Sequence, residues 1–183
     1  VALLPKATAV PLYIWLPLSV VDLALVIVFF SVKPLLRSTI LSFSGVCLVA
    51  VIAVLFSQAF AMTPPITDAQ GNEVSGSVAV LEKVELNGSQ QWISIRGKDA
   101  SKPILLFLAG GPSGSQMTAE RFALPELEDH FVVVNWEQPG SGKSFDAVKR
   151  STITVDRYIE DGHALISFLK ERFGQEKVYV LGE

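Results

Sequence analysis

Cysteine, methionine and histidine are all scarce here: one Cys, two Met and two His in 183 residues. The lone thiol, Cys47, excludes an intrachain disulfide and with it the small secreted scaffolds that depend on such bridges. With that one thiol and with His130 and His163 far apart, the sequence predicts no metal site and no cofactor. An excess of basic charge is missing too, the formal net charge being -3. From Thr63 onward, 17 acidic residues face 12 basic ones, which leaves no basic surface for nucleic acid. No internal repeat or low-complexity tract is present.

Charge is absent altogether from one long stretch and nearly so from another. Residues 40–62 carry none, and 7–32 carry only Asp22. Each stretch exceeds the roughly 20 residues that cross a hydrocarbon core as a helix, so two transmembrane helices are expected, over about 8–32 and 40–62. Lys33 and Arg37 in the short connection place that loop in the cytoplasm by the positive-inside rule. The expectation is a multi-pass cell-membrane protein that contacts lipid and whose chain after the second span faces outward. A signal peptide over residues 33–61, with Ala59-Phe60-Ala61 as its cleavage site, would export the same domain. The apolar stretch ahead of it favours two anchoring helices. Asp22, near mid-span, would cost about 2.5 to 3.5 kcal/mol on insertion scales and is expected to face a partner helix.

Residues 63–76 are polar and proline-containing and read as a linker, and residues 77–183 have the composition of a soluble domain. Within that domain, Gly142-Lys143-Ser144 has the ending of a phosphate loop, G-x-x-x-x-G-K-[ST]. The position of the first glycine is held by Glu137, whose carboxylate would oppose a bound phosphate. The residues after Ser144 show no apolar stripe for the helix that should follow. No nucleotide is expected.

The order of elements explains the glycine-rich turn better. Residues 77–86 and 91–95 alternate as strands joined at Asn87-Gly88, a pair suited to a hairpin turn. Ile104 to Leu108 is a continuous apolar run, followed by a glycine-rich loop over 109–115 and a short helix near 117–127. Residues 131–136 form the next strand. Thr154 then caps a helix with apolar residues at three- and four-residue steps, Gly174 ends it, and 177–181 is a further strand. This is an α/β pattern, a mostly parallel sheet with an antiparallel hairpin, whose chemistry gathers at the carboxyl ends of its strands.

Three of those strand ends carry a resemblance. Leu108-Ala109-Gly110-Gly111-Pro112-Ser113-Gly114 is similar to the H-G-G-P-G oxyanion loop of the α/β-hydrolases, and within them of the proline iminopeptidase group of serine aminopeptidases. Asn135 to Ser144, with Glu137, Gly140 and Gly142, resembles the W-D-Q-R-G-x-G-x-S segment of that group. Residues 177–183 resemble the strand entering the nucleophile elbow G-x-S-x-G, with Gly182 and Glu183 as its first letters. The resemblance implies the N-terminal half of an α/β-hydrolase fold. It implies that the N–H of Gly111 is one oxyanion donor, that Gly110 belongs to the same loop, and that Pro112 stiffens its exit. The nucleophile is expected immediately after Glu183, with the acid and base farther downstream. Neither histidine present is then the catalytic base.

Four positions depart from the group's pattern: Ala109 for His, Ser113 for Gly, Glu137 for Asp and Pro139 for Arg. Joined to the two apolar stretches, the resemblance implies a serine hydrolase held at the membrane that removes N-terminal proline or another small residue from short peptides, or cleaves esters, through an acyl-enzyme. An epoxide hydrolase with an Asp nucleophile shares the fold, and a non-catalytic membrane sensor with a hydrolase-like domain is the alternative from another class. The opening Val and the ending at Gly182-Glu183 predict a piece of a longer chain, inactive by itself.

Overall fold

The computed structural model describes residues 11–110, 114–117, 121 and 123–182. The chain separates into two compact units, Val1–Met62 and Thr63–Glu183.

In the first unit, α1 (Leu12–Ser31) and α2 (Leu35–Ala59) are both long and apolar enough to cross a membrane. The second helix starts at Leu35 rather than Ile40. Ser38 and Thr39 make the earlier start favourable, because each hydroxyl donates to the Leu35 carbonyl at 2.9 Å and so consumes its own polarity inside the first turn. Arg37 therefore lies on the helix and not in a loop.

The second unit begins with residues 63–76, which are folded onto it. Ile66 is buried, Thr67 bridges Glu73, and Asp68 accepts hydrogen bonds from the N–H groups of Gln70 and Asn72. Those backbone bonds, the one from Asn72 foremost, hold the Asp68 carboxyl below its ordinary value. A polar composition had suggested a linker; what it encodes is an Asx-type turn anchored by one apolar residue.

Strands β1 (Val78–Leu86) and β2 (Ser89–Gly97) pair antiparallel through Asn87 and Gly88, which both take positive φ. β3 (Ile104–Leu108), the short helix α3 (Leu127–His130), β4 (Val132–Trp136), the helix α4 (Val155–Phe173) and β5 (Val178–Gly182) follow. The sheet order is β1-β2-β4-β3-β5, with β3 parallel to both β4 and β5. The helix expected near 117–127 lies partly outside the described residues. Met117, Arg121 and Ala123 are helical, and α3 is a separate turn.

β3 and β4 read as unbroken apolar runs because they lie in the middle of the sheet, where both faces are covered. Ile93, Ile95, Ile104, Leu106, Val132 and Val134 form the core with Leu165 and Leu169 of α4. The Thr154 side chain accepts from the Arg157 N–H at 3.1 Å, satisfying one free donor of the first turn. α4 is also held by charge. Asp161 is fully buried and accepts from Gln91 Nε2 at 2.6 Å, Arg157 Nε at 2.8 Å and Asn87 Nδ2 at 2.8 Å. Gln91 in turn accepts from Trp136 Nε1 at 2.8 Å, so one polar chain runs from the hairpin turn through the sheet to the end of β4. The end of β4 is where the candidate site begins.

Candidate active site

Because β3 and β4 are parallel neighbours, with Phe107 opposite Asn135, their carboxyl ends release two loops side by side. The β3 loop closes on itself: the Gly114 N–H donates to the Gly110 carbonyl at 3.2 Å. Residue 114 must be glycine for that approach, since a β-carbon there would stand 2.5 Å from the Gly110 oxygen. The β4 loop runs through Glu137 and turns at Gly142–Ser144, a single 3-10 turn.

Two hydrogen bonds clamp the loops together. The Ser115 hydroxyl donates to Glu137 Oε1 at 2.5 Å, and the Ser141 hydroxyl donates to the Gly114 carbonyl at 2.7 Å. The other oxygen of Glu137 accepts the Lys143 N–H at 3.2 Å. Glu137 is itself almost wholly buried, so the carboxylate exchanges its hydration for these donors. Ser144 fixes the far end of the loop, its hydroxyl accepting from the Trp92 N–H of β2 at 2.8 Å. The Tyr158 hydroxyl on α4 donates to the Pro139 carbonyl at 3.0 Å and ties the loop to the helix below it.

This geometry gives Gly142-Lys143-Ser144 its meaning. A phosphate loop offers its backbone N–H groups to an anion. Here the N–H of Lys143 already faces an anion of the chain's own, the Glu137 carboxylate. The Lys143 ammonium lies over the Trp92 ring, 4.7 Å from its centroid. Burial pushes that ammonium below its ordinary value, Glu137 opposes the shift, and Lys83 adds to it.

Gly110, Gly140, Gly142 and Glu137 are thus brought to one end of the sheet, and Gly182 ends β5 beside β3, paired with Leu108. Gly111, Pro112 and Glu183 lie outside the described residues, as does Ser113. His130 ends α3 and is exposed, apart from these loops. His163 on α4 reaches an apolar cleft of about 310 Å³ formed with Leu106, Leu108, Trp136, Ile159 and Val180. Among the described residues no three His, Cys, Asp or Glu side chains gather as a metal site would require. Ser115, Ser141 and Ser144 were not legible as clamps. Serine in a glycine-rich loop carries no signal of its own, and only their recurrence beside two strand ends could have drawn attention to them.

The chain is similar to a curated bacterial protein, "Probable aminopeptidase YbaC" of Bacillus subtilis (strain 168), 34% identical over 107 residues. The match takes in 58% of this chain and 34% of that protein, so the chain spans about a third of its relative's length. The sheet, with its antiparallel hairpin and with β3 parallel to both β4 and β5, has the arrangement that the α/β-hydrolase resemblance implies. No family model matches the chain. Among solved structures, a proline iminopeptidase-related protein from Thermus thermophilus aligns with TM-score 0.47 at 25% identity, over 58% of this chain and 36% of that one. The 2-hydroxy-6-oxo-6-phenylhexa-2,4-dienoate hydrolase of Rhodococcus sp. strain RHA1 aligns with TM-score 0.45 at 20% identity, over 58% and 38%.

Proposed function

We propose that this chain supplies the oxyanion loop of a membrane-anchored serine hydrolase, an aminopeptidase that frees the N-terminal residue of short peptides. The observation that carries the reading is the double clamp of Ser115 to Glu137 and Ser141 to Gly114, which fastens the Gly114–Ser115 end of the loop after β3 to the loop after the parallel strand β4. Acyl transfer builds negative charge on the carbonyl oxygen, and only donors already fixed in place stabilise it without reorganising. In this reading the N–H of Gly111 is one donor, Gly110 and Pro112 shape its loop, and Gly182-Glu183 opens the elbow whose next residue is the nucleophilic serine. A downstream base takes the serine proton as the hydroxyl oxygen adds to the scissile carbonyl, then gives that proton to the amine as the C–N bond breaks, leaving the acyl-enzyme. The name of the Bacillus subtilis relative supports aminopeptidase over esterase. The two long apolar helices support the anchor, and the basic residues Lys33 and Arg37 between or just inside them support an outward-facing domain.

The test uses the longer protein that carries this sequence, purified from membranes. A fluorophosphonate probe is expected to label the residue after Glu183, and prolyl or alanyl amides are expected to compete. Folded protein that stays unlabelled would replace the enzyme with a non-catalytic sensor. Labelling without aminopeptidase turnover would move the substrate to esters. Alkaline carbonate extraction tests the anchor, and protease added to intact cells tests the outward orientation.

A further inference from the structure

α1 and α2 pack through small residues. The Ser42 hydroxyl donates to the Leu25 carbonyl of the facing helix at 3.0 Å. Gly45 leaves the space that Leu25 fills, since a β-carbon there would stand 2.6 Å from Leu25 Cδ2. One turn before Leu25, Asp22 lies midway along its 20-residue helix. It lines a groove of about 180 Å³ with Trp15, Ser19, Val49, Ala50 and Ala53. Among the described residues nothing hydrogen-bonds to Asp22 or pairs with its charge.

A carboxylate at that depth in a span calls for a partner, because lipid offers none. The pair places no basic side chain there. α1 contains no basic residue, and the single one in α2, Arg37, sits in its first turn, away from mid-span. A second copy docked by the same groove about a two-fold axis would bring Asp22 against Asp22. The small side chains on the α2 wall let another helix approach closely, and the charge selects which helix.

We propose that this groove seats the transmembrane helix of a partner protein bearing one Lys or Arg at mid-depth, paired with Asp22. The inference rests on the membrane-anchored reading above. It is tested with the full chain in phosphatidylcholine vesicles and synthetic Leu-Ala transmembrane peptides that carry either Lys or Leu at the centre, with association read by resonance energy transfer. The Lys peptide is expected to bind about tenfold more tightly than the Leu peptide, a change typical of an interhelical polar contact in lipid. Asp22→Leu is expected to remove the preference. Ala53→Phe, which fills the groove from the opposite wall and keeps the carboxylate, is expected to weaken binding of the Lys peptide. Equal binding of both peptides, or a preference that survives Asp22→Leu, overturns the proposal. Energy transfer between copies of the chain that depends on Asp22 also overturns it and makes a second copy the occupant. Release of the chain by alkaline carbonate would instead remove the membrane anchor itself and the groove's partner with it, whereas an integral chain with no peptide preference leaves the anchor standing and rejects only the partner.

Discussion

The Glu137 carboxylate fills the space that a side chain on residue 142 would need: a β-carbon on Gly142 would stand 1.5 Å from Oε2. Gly142 also takes φ of +42°. Gly142→Ala therefore must expel the carboxylate from its donors and strain the backbone. The two effects together should lower stability by about 2 to 4 kcal/mol. Urea unfolding measures it. A loss within about 0.5 kcal/mol, the usual range for surface changes, would mean that Glu137 swings aside freely.

The Ser115 to Glu137 bond spans the two loops, so it should be energetically coupled and not merely close. Ser115→Ala and Glu137→Gln, alone and combined, form a double-mutant cycle. A hydrogen bond to a charged group of this kind contributes about 1.5 to 3 kcal/mol, and a coupling of that order is expected. Additive losses would show that the hydroxyl and carboxylate are held by their own loops independently.

How much of this was legible in the sequence depended on the range of the interaction. The hairpin followed from Asn87-Gly88, the central strands from the apolar runs at 104–108 and 132–134, and α4 from Thr154 and the spacing of its apolar residues. All of these are local signals. The clamp joins residues far apart in the chain, and neither Ser115 nor Glu137 announces a partner by type. Asp161 was equally silent. A carboxylate on an amphipathic helix ordinarily faces water, and only the approach of the hairpin turn buries this one. The same applies to residues 63–76, whose polarity suggested freedom, although Ile66 is buried and the Arg96 side chain of β2 holds Thr63 and Pro64.

Asp161 accepts from three side chains, two of which, Gln91 and Arg157, also donate to the Ser89 hydroxyl oxygen. Asp161→Ala breaks the ion pair with Arg157 and removes one acceptor from Gln91 and from Asn87, while Ser89 still accepts from both Arg157 and Gln91, and should cost about 2 to 3 kcal/mol. Asp161→Asn preserves the shape but removes the charge and is expected to cost less, about 1 kcal/mol. Equal and small losses in a denaturant titration would reject a role for the network in holding α4.

Arg96 is buried against Glu128, with Nε to Oε1 at 2.7 Å, and its Nη1 also donates to Thr63 Oγ1 and the Pro64 carbonyl, each at 2.6 Å. The start of the second unit is therefore fastened to β2 by one guanidinium. Arg96→Met should lower stability by about 3 to 5 kcal/mol by leaving Glu128 buried and unpaired. It should also release residues 63–76 to protease. Limited proteolysis of the variant under native conditions, mapped by mass spectrometry, is expected to show cleavage there that the parent resists. Unchanged cleavage would mean that Ile66 alone holds the segment.

Lys143 sets two forces against each other. Burial favours its neutral amine, whereas Glu137 and the face of Trp92 favour the ammonium, the ring by about 0.5 to 1 kcal/mol at partly exposed sites. With burial dominant, the folded chain releases this proton below the ordinary lysine value of 10.5, while the unfolded chain holds it up to that value. Between the two the unfolded state binds more protons, so the contribution of Lys143 to stability rises with pH across the window. Urea midpoints of the parent and of Lys143→Met, compared at about pH 8 and about pH 10, should show the parent gaining on the variant at the higher pH. A parent that loses ground as pH rises would mean that the attraction of the ring and the carboxylate for the ammonium outweighs its burial.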